Sequence, residues 1–177
     1  MLEKGLLAGF SIFSEVPQDK LSSIAEKCEL LEFNSDEVIF QQGETAKNLY
    51  GILDGEVELI LIFEDRVLKA DIQYERSLQA RFEILEKPIV VDTLGPGEVF
   101  GWSALVNPRQ LTATAKCWKP TRVFSLPADD LKAMNDQDPA LGYAILEKLA
   151  VVIAQRLQKR TDTLIEAWGE AFDVDKV

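Results

Sequence analysis

The chain is predicted to be mainly β with flanking helices, a jelly roll or small barrel followed by a long C-terminal helix. Two observations predict this. Between Leu31 and Leu126 the apolar residues come in short runs punctuated by glycine-containing turns, the pattern of an all-β middle. From Asp138-Pro139 to about Phe172 the sequence carries helical apolar spacing, with glycine only at Gly142 in the first turn and Gly169 near the end. At 1.5 Å per residue, that helix is about 50 Å long.

In chain order, residues 1–30 form an N-terminal helical segment. Leu2 to Phe13 is largely apolar and packs as an arm. Ser14 to Cys28 carries helix signals: Pro17 near the start, then Leu21, Ile24 and Ala25 on one face. Residues 31–127 form the β domain. Leu31 and Phe33 alternate with polar residues, Val38 to Phe40 follow, and Gln41-Gln42-Gly43 turns the chain. Further strands are expected at Leu49 to Leu53, after a turn at Asp54-Gly55 at Val57 to Phe63, and at Ile89 to Leu94. After the Pro96-Gly97 turn, Thr112 to Trp118 and Arg122 to Leu126 complete the set. Residues 64–88 interrupt this order. Ile72, Tyr74, Leu78, Ala80, Phe82 and Ile84 mostly alternate with polar residues and favour a protruding hairpin, while Tyr74, Leu78, Phe82 and Leu85 also fit a helical stripe. An elaborated loop and a partner-binding flap both stand as readings of this segment.

Residues 128–177 form the C-terminal helical segment. Pro127 to Leu131 opens a short helix, and the long one follows. Leu141, Ile145, Leu149 and Val152 make one apolar stripe. Leu146, Ala150, Ile153, Leu157 and Leu164 make a second at near-heptad spacing, broken at Arg160. Two stripes exceed what one β domain covers, so Ile153, Leu157 and Leu164 are the expected homodimer contact. Arg156, Lys159 and Arg160 form a local basic patch, read as a solvated helix face in preference to a docking site.

Composition narrows the function. A net charge of −11 repels phosphate backbones and argues against nucleic acid or an anionic membrane as a direct partner. No apolar run approaches a membrane span, and the N-terminus lacks the features of a signal peptide; a cytoplasmic location is the expectation. Cys28 and Cys117 are isolated and read as buried reduced thiols. With 0 histidines, the commonest general base and transition-metal ligand are missing. There is no nucleophile motif and no phosphate loop with lysine, so an enzyme is disfavoured. No metal site is expected.

Gly97 to Ala115 reads G-E-V-F-G-W-S-A-L-V-N-P-R-Q-L-T-A-T-A. It resembles the phosphate-gripping segment of cyclic-nucleotide-binding domains, F-G-E-L-A-L, a short loop, then P-R-x-A-T-x-x-A. Phe100, Gly101, Ala104, Leu105, Pro108, Arg109, Thr112 and Ala115 fit that frame. Asp36 to Glu44 is similar to the family's G-E-x-I-F-x-x-G-E, with Asp36 replacing the first glycine, and Asn48 to Val57 is similar to its L-Y-x-I-L-x-G-x-V. The likeness covers roughly Phe13 to Arg160, apart from the insertion at 64–88.

The resemblance implies a β-roll whose pocket is built from Gly101, Trp102, Ser103, Ala104, Arg109, Leu111 and Thr112. A bidentate arginine suits a cyclic phosphate and a glutamate suits the ribose hydroxyl. Arg109 falls at the arginine position; the loop before it is a little short, so the side chain either meets the phosphate or is a surface loop arginine. Trp102 stands at the glutamate position. Its indole only donates, so it either stacks on a purine or fills the space; filling is favoured. Ser103 and Thr112 are weak polar handles.

A cyclic nucleotide is therefore disfavoured and no cofactor is assigned. Since only about five residues follow the expected helix, no winged-helix or kinase output domain is expected in this sequence. The expectation is a regulatory module acting through dimerisation and a protein partner. The rival reading is a small-ligand sensor that binds a cyclic nucleotide or other anion through Arg109.

Overall fold

The computed structural model describes residues 4–72 and 78–171, with no side-chain description for 4, 64–72, 78–84, 170 and 171. Four helices are described: α1 (Lys4–Leu7), α2 (Gln18–Lys27), α3 (Ala128–Gln137) and α4 (Pro139–Ala171). Between them lie β1 (Glu29–Phe33), β2 (Val38–Phe40), β3 (Asn48–Ile72), β4 (Leu78–Leu94), β5 (Val99–Phe100) and β6 (Thr114–Pro127). Single 3-10 turns stand at Ser11–Phe13 and Trp102–Leu105.

All the sheet pairings are antiparallel. The order is β1-β6-β3-β4, with β2 also on β6 and β5 on β3. The expected all-β middle and long terminal helix are both present. Two strands run on through positions where the sequence pattern breaks. β6 runs unbroken through Pro120, and β3 runs through Asp54-Gly55, which is a bulge and not the expected turn. The reason lies across the sheet. Gly55 has φ 101°, and a Cβ there would come within 2.4 Å of the Thr121 hydroxyl. That hydroxyl meets the Glu56 N–H at 3.1 Å, so β6 bridges the irregularity and the strand continues.

The insertion at 64–88 is a hairpin, with β3 and β4 paired from Val57↔Leu94 out to Ile72↔Leu78. The alternating pattern, not the competing helical stripe, matches the observed pairing. Tyr74 lies outside the described residues, as do Leu2 and the expected helix end at Phe172.

Two apolar layers hold the molecule. One fills the roll with Ile52, Val57, Phe100, Ala115, Cys117 and Val123, all fully buried. The other lies between roll and helices. The arm contributes Leu7, Phe10, Ile12 and Phe13, and α2 contributes Leu21 and Ile24. α4 adds its stripe Leu141, Ile145 and Leu149, with Phe124 and Leu126 of β6 beneath. Phe10 meets Phe124 edge-on, centroids 4.9 Å apart. Asp138 caps α4, accepting from the Leu141 N–H at 3.2 Å while Lys20 pairs with it at 2.9 Å.

Both cysteines are buried and reduced. Burial pushes the Cys28 thiol up to about 12, and its Sγ donates to the Ile24 carbonyl at 3.3 Å.

Candidate functional site

Five of the seven expected pocket residues meet. Gly101, Trp102, Ser103, Leu111 and Thr112 line one cavity of about 30 Å³, with Phe40, Leu59 and Ala113 as apolar wall. Gly101 enters the 3-10 turn with φ 72°, and a Cβ there would press to 2.8 Å from the Asn48 carbonyl, so the tight approach of this turn to β3 requires glycine. The turn places Ser103 inward, 8% exposed, and Trp102 partly buried against the helical core. Ala104 is fully buried in the roll core and does not line the cavity.

Arg109 is not with them. The loop of Asn107, cis-Pro108 and Arg109 places Arg109 with a left-handed backbone, φ 57°. Its Nη1 meets the Asp129 carboxylate at the start of α3 at 2.7 Å. The side chain lines a separate cavity of about 240 Å³ between that loop, α3 and α4. The short loop aims the guanidinium away from the position the resemblance implies.

Two arginines that sequence reasoning set on a solvated face line the small cavity instead: Arg156 and Arg160 of α4. This corrects the reading of the basic patch. The Arg156 side chain is 11% exposed. Its Nε faces the Asp92 carboxylate at 3.8 Å and its Nη2 donates to the Val99 carbonyl. Lys159 closes on the same carboxylate from the solvent side. Burial lowers the Arg156 pKa, Asp92 and Glu98 oppose that, and Arg160 adds to the lowering. Arg160 has its Nε buried without a hydrogen-bond partner.

Asp92 was missed. Its signal was a lone carboxylate closing the apolar run Ile89-Val90-Val91, which calls for a buried cationic partner. The signal for the arginines was their i, i+4 spacing beside the buried stripe of α4.

The dimerisation candidates divide. Leu157 and Leu164 are 66% and 54% exposed, whereas Ile153 is partly buried against the helical core. The exposed face of α4 also carries Tyr143, Leu146, Ile165 and Trp168. The helix turns Ile153 inward because the end of the buried stripe, at Val152, wraps toward it.

Residues 79–138 match the model of the cyclic nucleotide-binding domain family. Over those residues this chain is similar to that family. A solved structure from Geobacter metallireducens, assigned as a cyclic nucleotide-binding protein, superposes with TM-score 0.68 at 26% identity, over 89% of this chain and 99% of that one. A protein of Rhodopseudomonas palustris assigned as a potassium channel is 26% identical over 79% of this chain and 29% of its own length. A CRP-like cAMP-activated global transcriptional regulator of Mycobacterium tuberculosis is 22% identical over 91% of this chain and 61% of its own. The chain thus spans less than two thirds of either curated relative. The six-stranded antiparallel sheet with flanking helices and a long C-terminal helix is the family's β-roll. Among the described residues, no helix is long and apolar enough to cross a membrane, and no group of histidine, cysteine and carboxylates is placed to hold a metal ion.

Proposed function

We propose that this chain is a non-catalytic regulatory module that does not take a cyclic nucleotide in the usual way and acts through a homodimer of α4 and a protein partner. The observation that carries this is the small volume left beside Trp102. Small-molecule sites run to roughly 300–1,000 Å³; the cavity beside Trp102 is about 30 Å³. Trp102 stands where a ribose acceptor is needed, Arg109 is engaged by Asp129, and α4 places Arg156 and Arg160 against the cavity.

Losing a hydrogen bond to a charged group costs about 1.5–3 kcal/mol, roughly 10-fold to 150-fold in affinity. Calorimetric titration with cyclic AMP and cyclic GMP is therefore expected to give weak binding or none. A low-micromolar dissociation constant would overturn the reading. Loss of such binding on Arg109→Ala would then favour the sensor reading, with Arg109 leaving Asp129 for the ligand.

The exposed face of α4 supports the homodimer. A twofold pair of helices hides Leu157 and Leu164 on one self-complementary surface. The output belongs to whatever this dimer contacts, and the long hairpin of β3 and β4 is a second surface for that contact.

A further inference from the structure

Arg160 is the one charged group around the small cavity whose chemistry is incomplete. Its Nε is buried and makes no hydrogen bond. Arg156, one helical turn away, is already engaged by Asp92 and by the Val99 carbonyl. Two guanidinium groups four residues apart on a helix repel, and Arg160 contributes to lowering the Arg156 pKa. Among the described residues no carboxylate lines the cavity, and Asp92 is taken up by Arg156 and Lys159; the cavity's polar side chains are the Ser103 and Thr112 hydroxyls, which are able to donate to an anion. A buried N–H without a partner is costly, and an ion or a water from outside the chain is what would complete it.

We propose that this cavity takes a single small planar monoanion, of formate or nitrate size, held by the Arg160 guanidinium. Size and shape select the class. A water needs about 10–15 Å³ by this measure, so about 30 Å³ holds two or three water-sized bodies, the number of heavy atoms in formate. A planar carboxylate or oxyanion matches the fork of a guanidinium in a bidentate pair. The site rests on the functional reading above, in that the small anion is what this pocket takes in place of a cyclic nucleotide. Its ligand would be gripped by α4 itself, so occupancy would act directly on the helix that carries the exposed apolar face.

Trp102 borders the cavity, whereas Trp118 and Trp168 are 62% and 63% exposed. In a Trp118→Phe/Trp168→Phe protein, Trp102 is the sole indole and reports on the site. Titration with sodium formate is expected to change its emission saturably. Sodium gluconate at equal ionic strength, a carboxylate too large for the cavity, is expected to leave it unchanged. Arg109→Ala is expected to preserve the formate response, and Arg160→Gln to weaken it about tenfold or more. A response that is absent or non-saturating, equal with gluconate, or undiminished in Arg160→Gln would overturn the site and leave a water on Arg160. Should Arg160→Gln fail to fold, the Arg160 Nε–H resonance of the unsubstituted chain decides: a shift with formate supports the site and an unmoved signal overturns it. Tight cyclic AMP binding alongside an intact formate response would overturn the functional reading and leave this site standing. Loss of the formate response with no cyclic AMP binding would overturn the site alone.

Discussion

Asp92 ties the hairpin to the long helix, and removing its carboxylate tests the whole arrangement of α4. The Asp92 side chain is 2% exposed and faces Arg156, 11% exposed, at 3.8 Å, while its second oxygen meets Lys159, which is 59% exposed. The two cations should not count equally. An exposed lysine pair is worth about 0–1 kcal/mol after screening and side-chain entropy. Breaking a buried pair costs about 3–5 kcal/mol because the surviving charge is left without compensation. Asp92→Ala is therefore expected to lower stability by about 3–5 kcal/mol, and Lys159→Ala by less than about 1 kcal/mol.

For a domain of this size about 2–4 °C accompany each kcal/mol, so Asp92→Ala is expected to lose about 6–20 °C in melting temperature. The double substitution Asp92→Leu/Arg156→Met removes both charges and keeps volume. It is expected to recover most of the loss, less about 0.5–1.5 kcal/mol for the donor that Val99 loses. Urea unfolding followed by far-ultraviolet circular dichroism measures all three. An Asp92→Ala cost no larger than that of Lys159→Ala, or a double variant as unstable as the single, would refute a buried, mutually dependent pair.

Three further outcomes are expected. Lys20 and the Leu141 N–H hold Asp138 below its ordinary carboxylate value, so the stability it contributes is present above that value, about pH 4. It is lost as pH falls through the depressed value, and Asp138→Asn should flatten the acid limb of a stability–pH curve; an unchanged limb would assign acid unfolding to other groups. Native protein at pH 8 should react with Ellman's reagent at neither Cys28 nor Cys117, since burial raises both thiols; denaturant should release both, and rapid native labelling would contradict the packing. If α4 pairs as proposed, Leu157→Glu/Leu164→Glu should leave a monomer by light scattering with the β signal retained, each leucine surrendering about 1.5–3 kcal/mol of burial at most. A dimer that survives would move the interface to the hairpin.

The order of the strands, the helices at both ends and the buried stripe Leu141, Ile145 and Leu149 were legible in the sequence. Each is written in a local period of 2 or 3.6, and burial of one face follows from that period alone. The turn that opens the site was legible for a similar reason, since Gly101 occupies a backbone position that other residues resist. What a period does not encode is which surface arrives from elsewhere in the chain. Asp54-Gly55 is a bulge because Thr121 stands opposite, 66 residues beyond Gly55 in the numbering. Arg109 leaves the pocket because Asp129 waits at the start of α3, and Ile153 turns inward because it packs against the apolar cluster between roll and helices. Arg156 and Arg160 have the composition of a solvated face; only the docking of α4 across the roll, against Asp92, Val99 and the 3-10 turn, takes them out of water. Side-chain periodicity is settled by neighbours three or four residues away, whereas desolvation and charge pairing are settled by whatever the tertiary fold places opposite.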